Sequence, residues 1–148
     1  MSSKILVAYV DVRVFAHATE ESDRVLAAAH TLLPKESVDT VVFKKIALTG
    51  HHGNPIVLFE AKIKDKKVAQ KLLERLSLGL SVLDKALLNG EIRQHLENGN
   101  LYIRLDKQSA YTNEIKLSVT DPVHLRIHFK KHSPEEVIEI CKAVGLLP

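Results

Sequence analysis

With 148 residues, 45% of them hydrophobic and 26% charged, the chain has the make-up of an ordinary globular protein long enough to bury a core as one domain. A net charge of +3 permits a nucleic-acid partner without requiring one. The single cysteine excludes an internal disulfide framework, no apolar run is long enough to cross a bilayer and nothing resembles a signal peptide, which together suit a reducing cytoplasm and no membrane partner.

Residues 4–16 alternate as a strand, with Leu6, Val10, Val12 and Val14 on one face and Tyr9, Asp11, Arg13, Phe15 and His17 on the other. A helix is expected from Thr19, a good N-cap, with Glu20, Glu21 and Asp23 in its first turn and an end near Pro34. Residues 38–48 read as a strand, and the Gly50–Pro55 turn joins it, antiparallel, to a strand at 56–64. A helical region follows from Lys66 to about Glu97. Val68, Leu72, Leu73, Leu76, Leu80 and Leu83 form its stripe, and a break near residue 80 is signalled by Gly79 and Ser81-x-x-Asp84. Gly90 weakens the later part and Asn98-Gly99 stops it.

Strands are expected at 101–106 and 114–120 with a turn between them, and at 123–130 after Asp121-Pro122. Ser133-Pro134-Glu135-Glu136 opens a last helix, with serine at N-cap and proline at N1. Cys141 falls on its apolar side as a small core residue. The expected fold class is α+β, a mostly antiparallel sheet with helices on one face.

Four stretches carry chemistry. The first is residues 123–132. Val123, Leu125, Ile127 and Phe129 take one face of the strand, and His124, Arg126, His128 and Lys130 take the other, with no acid among them. Lys131 and His132 follow. This pattern suits a sheet that packs on helices behind and meets a polyanion in front, or a strand with a merely solvated face.

The second is the helix start Asp65-Lys66-Lys67, followed by Lys71 and Arg75 and preceded by Lys62 and Lys64. Lysines beside a positive dipole end cost a few tenths of a kcal/mol but concentrate potential where a phosphate docks. A solvated lysine face is the alternative.

The third is the Gly50–Pro55 turn, where two glycines let the backbone approach a ligand and His51, His52 and Asn54 offer hydrogen bonds to phosphates or bases; a hairpin turn needs the same residues. A metal site of His51 and His52 completed by His17 or Asp11 is the weaker alternative, because adjacent histidines lack helical zinc-site spacing. The fourth runs from Tyr102 to Tyr111. Tyr102 can stack on a base, and Arg104, Lys107 and Gln108 can reach phosphate or base edges, unless Arg104 simply pairs with Asp106.

His17-Ala-Thr-Glu20, Gly50-His-His-Gly-Asn-Pro-Ile56, Tyr102-Ile-Arg-Leu-Asp-Lys-Gln-Ser-Ala-Tyr111 and Asp121-Pro122 come in this order over nearly the whole chain. In that arrangement the chain resembles an archaeal family of small RNA-binding proteins described as predicted exosome subunits. The resemblance implies an α+β fold similar to the ribosomal protein that binds 5S rRNA, an RNA-related role without known catalysis, and exosome- or ribosome-related partners. It carries over no binding residues. The run Lys66–Leu72 also looks like the lysine-rich last helix of double-stranded-RNA-binding domains, although the element order departs from that module.

The expected function is non-catalytic RNA binding without cofactor or metal. Lys62, Lys64, Lys66, Lys67 and Lys71 would contact phosphates, with Arg126, His128, Lys130 and Lys131 extending the surface. His51, His52, Asn54, Arg104, Lys107 and Gln108 would add contacts from the two turns. Binding would tighten as pH falls through about 6.5 if the histidines face phosphates. The rivals are a metal-dependent hydrolase centred on His51, His52 and Asp11, and an assembly module, with homo-oligomers possible, that uses Tyr9, Phe15 and Tyr102 on the open sheet face.

Overall fold

In the computed structural model, which describes residues 6–148, strand β1 (Val7–Ala16) lies at the centre of one six-stranded antiparallel sheet. The others are β2 (Lys44–Thr49), β3 (Pro55–Ile63), β4 (Leu96–Glu97), β5 (Asn100–Leu105) and β6 (Val123–Phe129), in the spatial order β2-β3-β1-β6-β5-β4. The helices are α1 (Ser22–His30), α2 (Lys66–Gly79), α3 (Val82–Gly90), α4 (Lys107–Tyr111) and α5 (Pro134–Ala143).

Register makes the alternation collective. Val10, Val12 and Val14 of β1 lie opposite Ile63, Ala61 and Phe59 of β3, and Val10 and Val12 lie opposite Ile127 and Leu125 of β6. Leu101, Ile103 and Leu105 of β5 extend the same face. Onto it α2 lays Val68, Leu72, Leu73 and Leu76, α1 Val25 and Ala29, and α5 Val137 and Cys141, all in one buried core. The expected α+β class, with helices on one face, is what the chain adopts.

Local signals set most boundaries. Asp65 caps α2 by accepting from the backbone N–H groups of Lys67 and Val68. Such a cap is worth about 1 kcal/mol, which outweighs the few tenths that lysines cost beside the dipole. Leu80 turns extended between α2 and α3, and Ser81 caps α3 from its hydroxyl. Asn98 and Gly99 both have positive φ, 51° and 82°, so the expected stop is a two-residue hairpin between β4 and β5.

Six expectations differ. The helical region expected to reach about Glu97 ends with α3 at Gly90, and Leu96–Glu97 is strand β4, held by pairing with Asn100 and Leu101. Helix α1 starts after Glu21 rather than Thr19 and ends at His30, because the Glu20 carboxylate is engaged by the His17 N–H and by Lys107. The expected 38–48 strand runs instead from Lys44 to Thr49, since no strand pairs with 38–43 among the described residues. Residues 107–111 form helix α4 under an Asp106 cap instead of a turn. The 114–120 strand is reduced to one bridge between Leu105 and Leu117. Leu83, expected on the buried stripe, is exposed because the break at Leu80 rotates α3 away from the line of α2. Residues 4 and 5 of the first expected strand lie outside the described residues.

Candidate nucleic-acid interface

The face of the sheet turned away from the core is a lattice of cross-strand rows. Lys44, Glu60, Arg13, His124 and Arg104 make one row across β2, β3, β1, β6 and β5. Lys62, Asp11, Arg126 and Tyr102 make the next, and Tyr9, His128 and Asn100 the one after. Lysines and arginines in the first two rows stand against only two carboxylates, Glu60 and Asp11. These rows floor a groove of about 960 Å³, rimmed by Val42, Val119, Glu91, Gln94 and His95.

Both carboxylates are engaged. The Asp11 carboxylate accepts from Arg126 Nε at 2.9 Å and also from a terminal guanidinium nitrogen. That bond holds the Arg126 guanidinium even more firmly protonated than usual, against a smaller opposing effect of burial. Glu60 lies 3.7 Å from Arg13. Arg104 forms no ion pair among the described residues, and the alternative of its pairing with Asp106 is not realised: Asp106 caps α4 instead. Arg104 and Lys44 are therefore the freer cations of the floor.

Tyr9 is closed to a base. Lys62 Nζ sits 4.2 Å over one side of the ring system, and the His128 ring stacks on it at 4.6 Å and 20°. Tyr102 is the exposed aromatic of the floor. Tyr9 and Phe15 stand six residues apart along β1, so Tyr9, Phe15 and Tyr102 do not make the single aromatic centre expected of an assembly face.

At the end of the sheet where β3 and β6 finish, the lysines collect. Exposed Lys62 and Lys64 lead into exposed Lys66 and Lys67 at the start of α2. Lys130, whose N–H donates to the Leu6 carbonyl, brings Lys131 and His132 to the same end. Lys71 lies on α2 but is spent on Glu36 at 2.7 Å, and Lys131 lies 3.9 Å from Glu136. His128 and His132 approach to 5.4 Å between ring centres. Burial, then His132, Arg126 and Lys62, lower the His128 pKa. Burial, then Arg104 and Arg13, lower that of His124.

The other expected contacts are elsewhere. His51, His52 and Asn54 are exposed on the β2–β3 hairpin tip, with Gly53 at φ 80°. The nine residues of β3 separate that tip from the lysine end by about 30 Å. Asp11 lies opposite Lys62, near the far end of β3, so the metal site imagined from His51, His52 and Asp11 is not assembled.

Lys107 leaves the list of accessible contacts: its side chain is 2% exposed. The ammonium donates to the Phe15 carbonyl at 2.7 Å, Glu20 at 3.1 Å and Asp121 at 2.8 Å. His17 hydrogen-bonds Asp121 at 2.9 Å. Burial raises the Asp121 pKa, but the hydrogen bonds from Lys107 and His17 outweigh it and leave the carboxyl below its usual range. His17, Glu20 and Asp121 are spaced to hold a cation, and the lysine ammonium already supplies one. Three of the four sequence motifs that carry the family resemblance, those holding His17 and Glu20, Lys107, and Asp121, thus converge on a structural clamp. Gln108, beside Lys107 on α4, remains exposed.

Sequence reasoning placed His124 on the open face of β6 but named neither Arg13 nor Lys44 as a contact. Arg13 was visible in the alternation of β1; Lys44 was hidden by the misplaced start of β2.

A family model described as "RNA binding" matches residues 9–129. The chain is 39% identical to RNA-binding protein PAB1135 of Pyrococcus abyssi over 147 residues, covering 97% of this chain and 95% of that one. It is 28% identical to the uncharacterized protein MJ0213 of Methanocaldococcus jannaschii over 140 residues, covering 88% and 93%. Among solved structures, protein AF2318 of Archaeglobus fulgidus superposes with a TM-score of 0.78 at 25% identity, covering 93% of this chain and 99% of that one.

Proposed function

From the premise that the chain belongs to the RNA-binding family whose model spans residues 9–129, we propose that it binds RNA without catalysis, through phosphate contacts on one basic end and the adjoining groove. The single observation that carries this reading is the grouping of Lys62, Lys64, Lys66, Lys67 and Lys130 at one end of the sheet, next to the rows that hold Arg126, Arg13 and Arg104. Phosphates are bound by exposed cations without regard to base identity, so sequence preference is weak and salt dependence strong. Lys131 and His128 are secondary contacts in this reading. His51, His52, Asn54 and Gln108 engage only an RNA long enough to span the sheet.

The family resemblance supports a setting in RNA processing or degradation alongside an exosome and a kinship with the 5S-rRNA-binding ribosomal fold, and the single cysteine supports a reducing cytoplasm. Co-purification with an RNA-degrading assembly from a native host, resistant to nuclease treatment, is the expected sign of that setting. Its loss on nuclease treatment would reduce the link to shared RNA.

The test of binding is fluorescence anisotropy with labelled single-stranded, duplex and structured RNA across a salt series. Wild type should bind with a steep slope of log affinity on log salt. Lys66→Glu/Lys67→Glu should flatten that slope by about 1.5, from two lost phosphate contacts. Absence of binding to every RNA at low salt would sink the proposal.

A further inference from the structure

Helix α3 has two apolar sides and only one of them is covered. Leu88 is buried in the core, while Val82 and Leu83 are 82% exposed and Leu87 is 53% exposed. Ala86 and Gly90 are exposed between and beyond them. Val82, Leu83, Ala86, Leu87 and Gly90 fall at i, i+1, i+4, i+5 and i+8, one continuous stripe with no charge in it. Just before the helix, at the end of α2, Leu78 is 88% exposed. This collection stands apart from the sheet groove, none of whose lining residues it shares. Scattered exposed leucines need no explanation; four large apolar side chains within ten residues do.

We infer that this stripe is covered by the same stripe of a second copy of the chain, with the two α3 helices antiparallel about a twofold axis through Ala86. Two features of the stripe favour a second copy. First, its bulk is graded: Val82 and Leu83 lie at one end, Ala86 in the middle and Gly90 at the other. An antiparallel mate about Ala86 sets Val82 against the partner copy's Gly90 and Ala86 against its Ala86. Large then meets small, and the alanines let the helices approach closely. A Cβ added at Gly90 would meet nothing within 4 Å in the single chain, so the space over it is open to a neighbour.

Second, the area suffices. Weighted by their exposures, the four large side chains present on the order of 500 Å² per copy. With Leu78 covered along with the stripe, two copies bury up to about 1,000 Å², the order of area that a specific interface needs. The stripe also lacks the lysines and glutamates that keep a solvated helix face apart from its own kind.

The test is sedimentation velocity of the full chain over a concentration series, with wild type and Leu83→Glu/Leu87→Glu. Wild type should reach about 33 kDa, twice the 16.5 kDa chain, and the variant should stay monomeric. Both substituted side chains are exposed in the single chain, so an unchanged melting curve of dilute variant confirms its fold. Ala86→Cys supplies an independent readout. A short bis-maleimide should join two copies through it, while Lys45→Cys on the outer strand should not be joined. The native Cys141 stays silent because burial pushes its thiol up to about 12. A wild type that remains monomeric at tens of micromolar, including one that instead binds another protein through α3, would overturn the inference. So would a dimer untouched by the glutamates.

Discussion

The Lys107 ammonium lies 2.8 Å from the Asp121 carboxylate, fourteen residues further along the chain, and the lysine side chain is almost wholly enclosed. With Glu20 and the Phe15 carbonyl as its other partners, Lys107 ties together the end of β1, the entry to α1, the start of α4 and the turn before β6.

Lys107→Met removes the one cation among partners that stay behind. Breaking a buried pair from one side costs about 3 kcal/mol, less where a partner such as Asp121 keeps some solvent. Urea denaturation should register a loss of that size. RNA affinity of the folded variant should remain within about twofold of wild type, since an enclosed ammonium touches no phosphate. A selective loss of affinity at unchanged stability would show that Lys107 does reach RNA.

The histidines set a pH response that differs from the sequence expectation. The folded pKa values of His124 and His128 are lowered below the ordinary 6.5, so between those values the unfolded chain binds more protons than the folded one. Their contribution to stability is present above 6.5 and is lost as pH falls through the folded values. The melting temperature should drop over that acidic window, and His124→Gln should flatten the drop. RNA affinity at fixed ionic strength should stay level down to about pH 6.5 and rise only below it. A rise complete by pH 6.5 would contradict this.

The cations of the interface should not be equal. Arg104 has no ion-pair partner among the described residues, whereas Arg126 is held by Asp11 and Lys71 by Glu36. Arg104→Ala should weaken RNA binding by about 1 kcal/mol for all sequences and reduce the salt slope by about 1. Lys71→Ala should change neither quantity measurably. An equal effect of the two substitutions would mean that the ion pairs open in the complex.

Gly99→Ala should destabilise the β4–β5 hairpin by more than 1 kcal/mol, because alanine is strained at positive φ. Its Cβ would lie 2.6 Å from His132 Cδ2 and 3.0 Å from the Lys131 carbonyl oxygen, at the basic end. Thermal melting reads the loss. Weakened RNA binding in the folded fraction should accompany it through the displaced 131–132 segment.

What the sequence revealed and what it hid divide on physical lines. Strands β1, β3, β5 and β6 were legible because each has one buried and one wet face, and alternation records that directly. The break between α2 and α3 was legible in Ser81-x-x-Asp84 because a cap is a local device. Residues 38–43 carry strand-like valines and a phenylalanine, but strand formation needs a neighbour, and neighbours are a tertiary fact. Lys107 was read as a phosphate ligand because its type is almost never enclosed; its partners lie 87 and 14 residues away. The lysine end was legible as composition, whereas its junction with Arg13, Arg104 and Lys44 depended on cross-strand register.

The outer strands of the sheet have a further consequence. β2 is exposed along nearly its whole length and presents Lys44 and Lys45, and β4 is two residues long. A docking strand at β2 would crowd ammonium groups onto a free backbone edge, and at β4 it would find too little backbone to zip onto. The sheet therefore does not template its own extension. The lysines of β2 and the shortness of β4 thus keep the backbone edges of the sheet out of amyloid-like stacking.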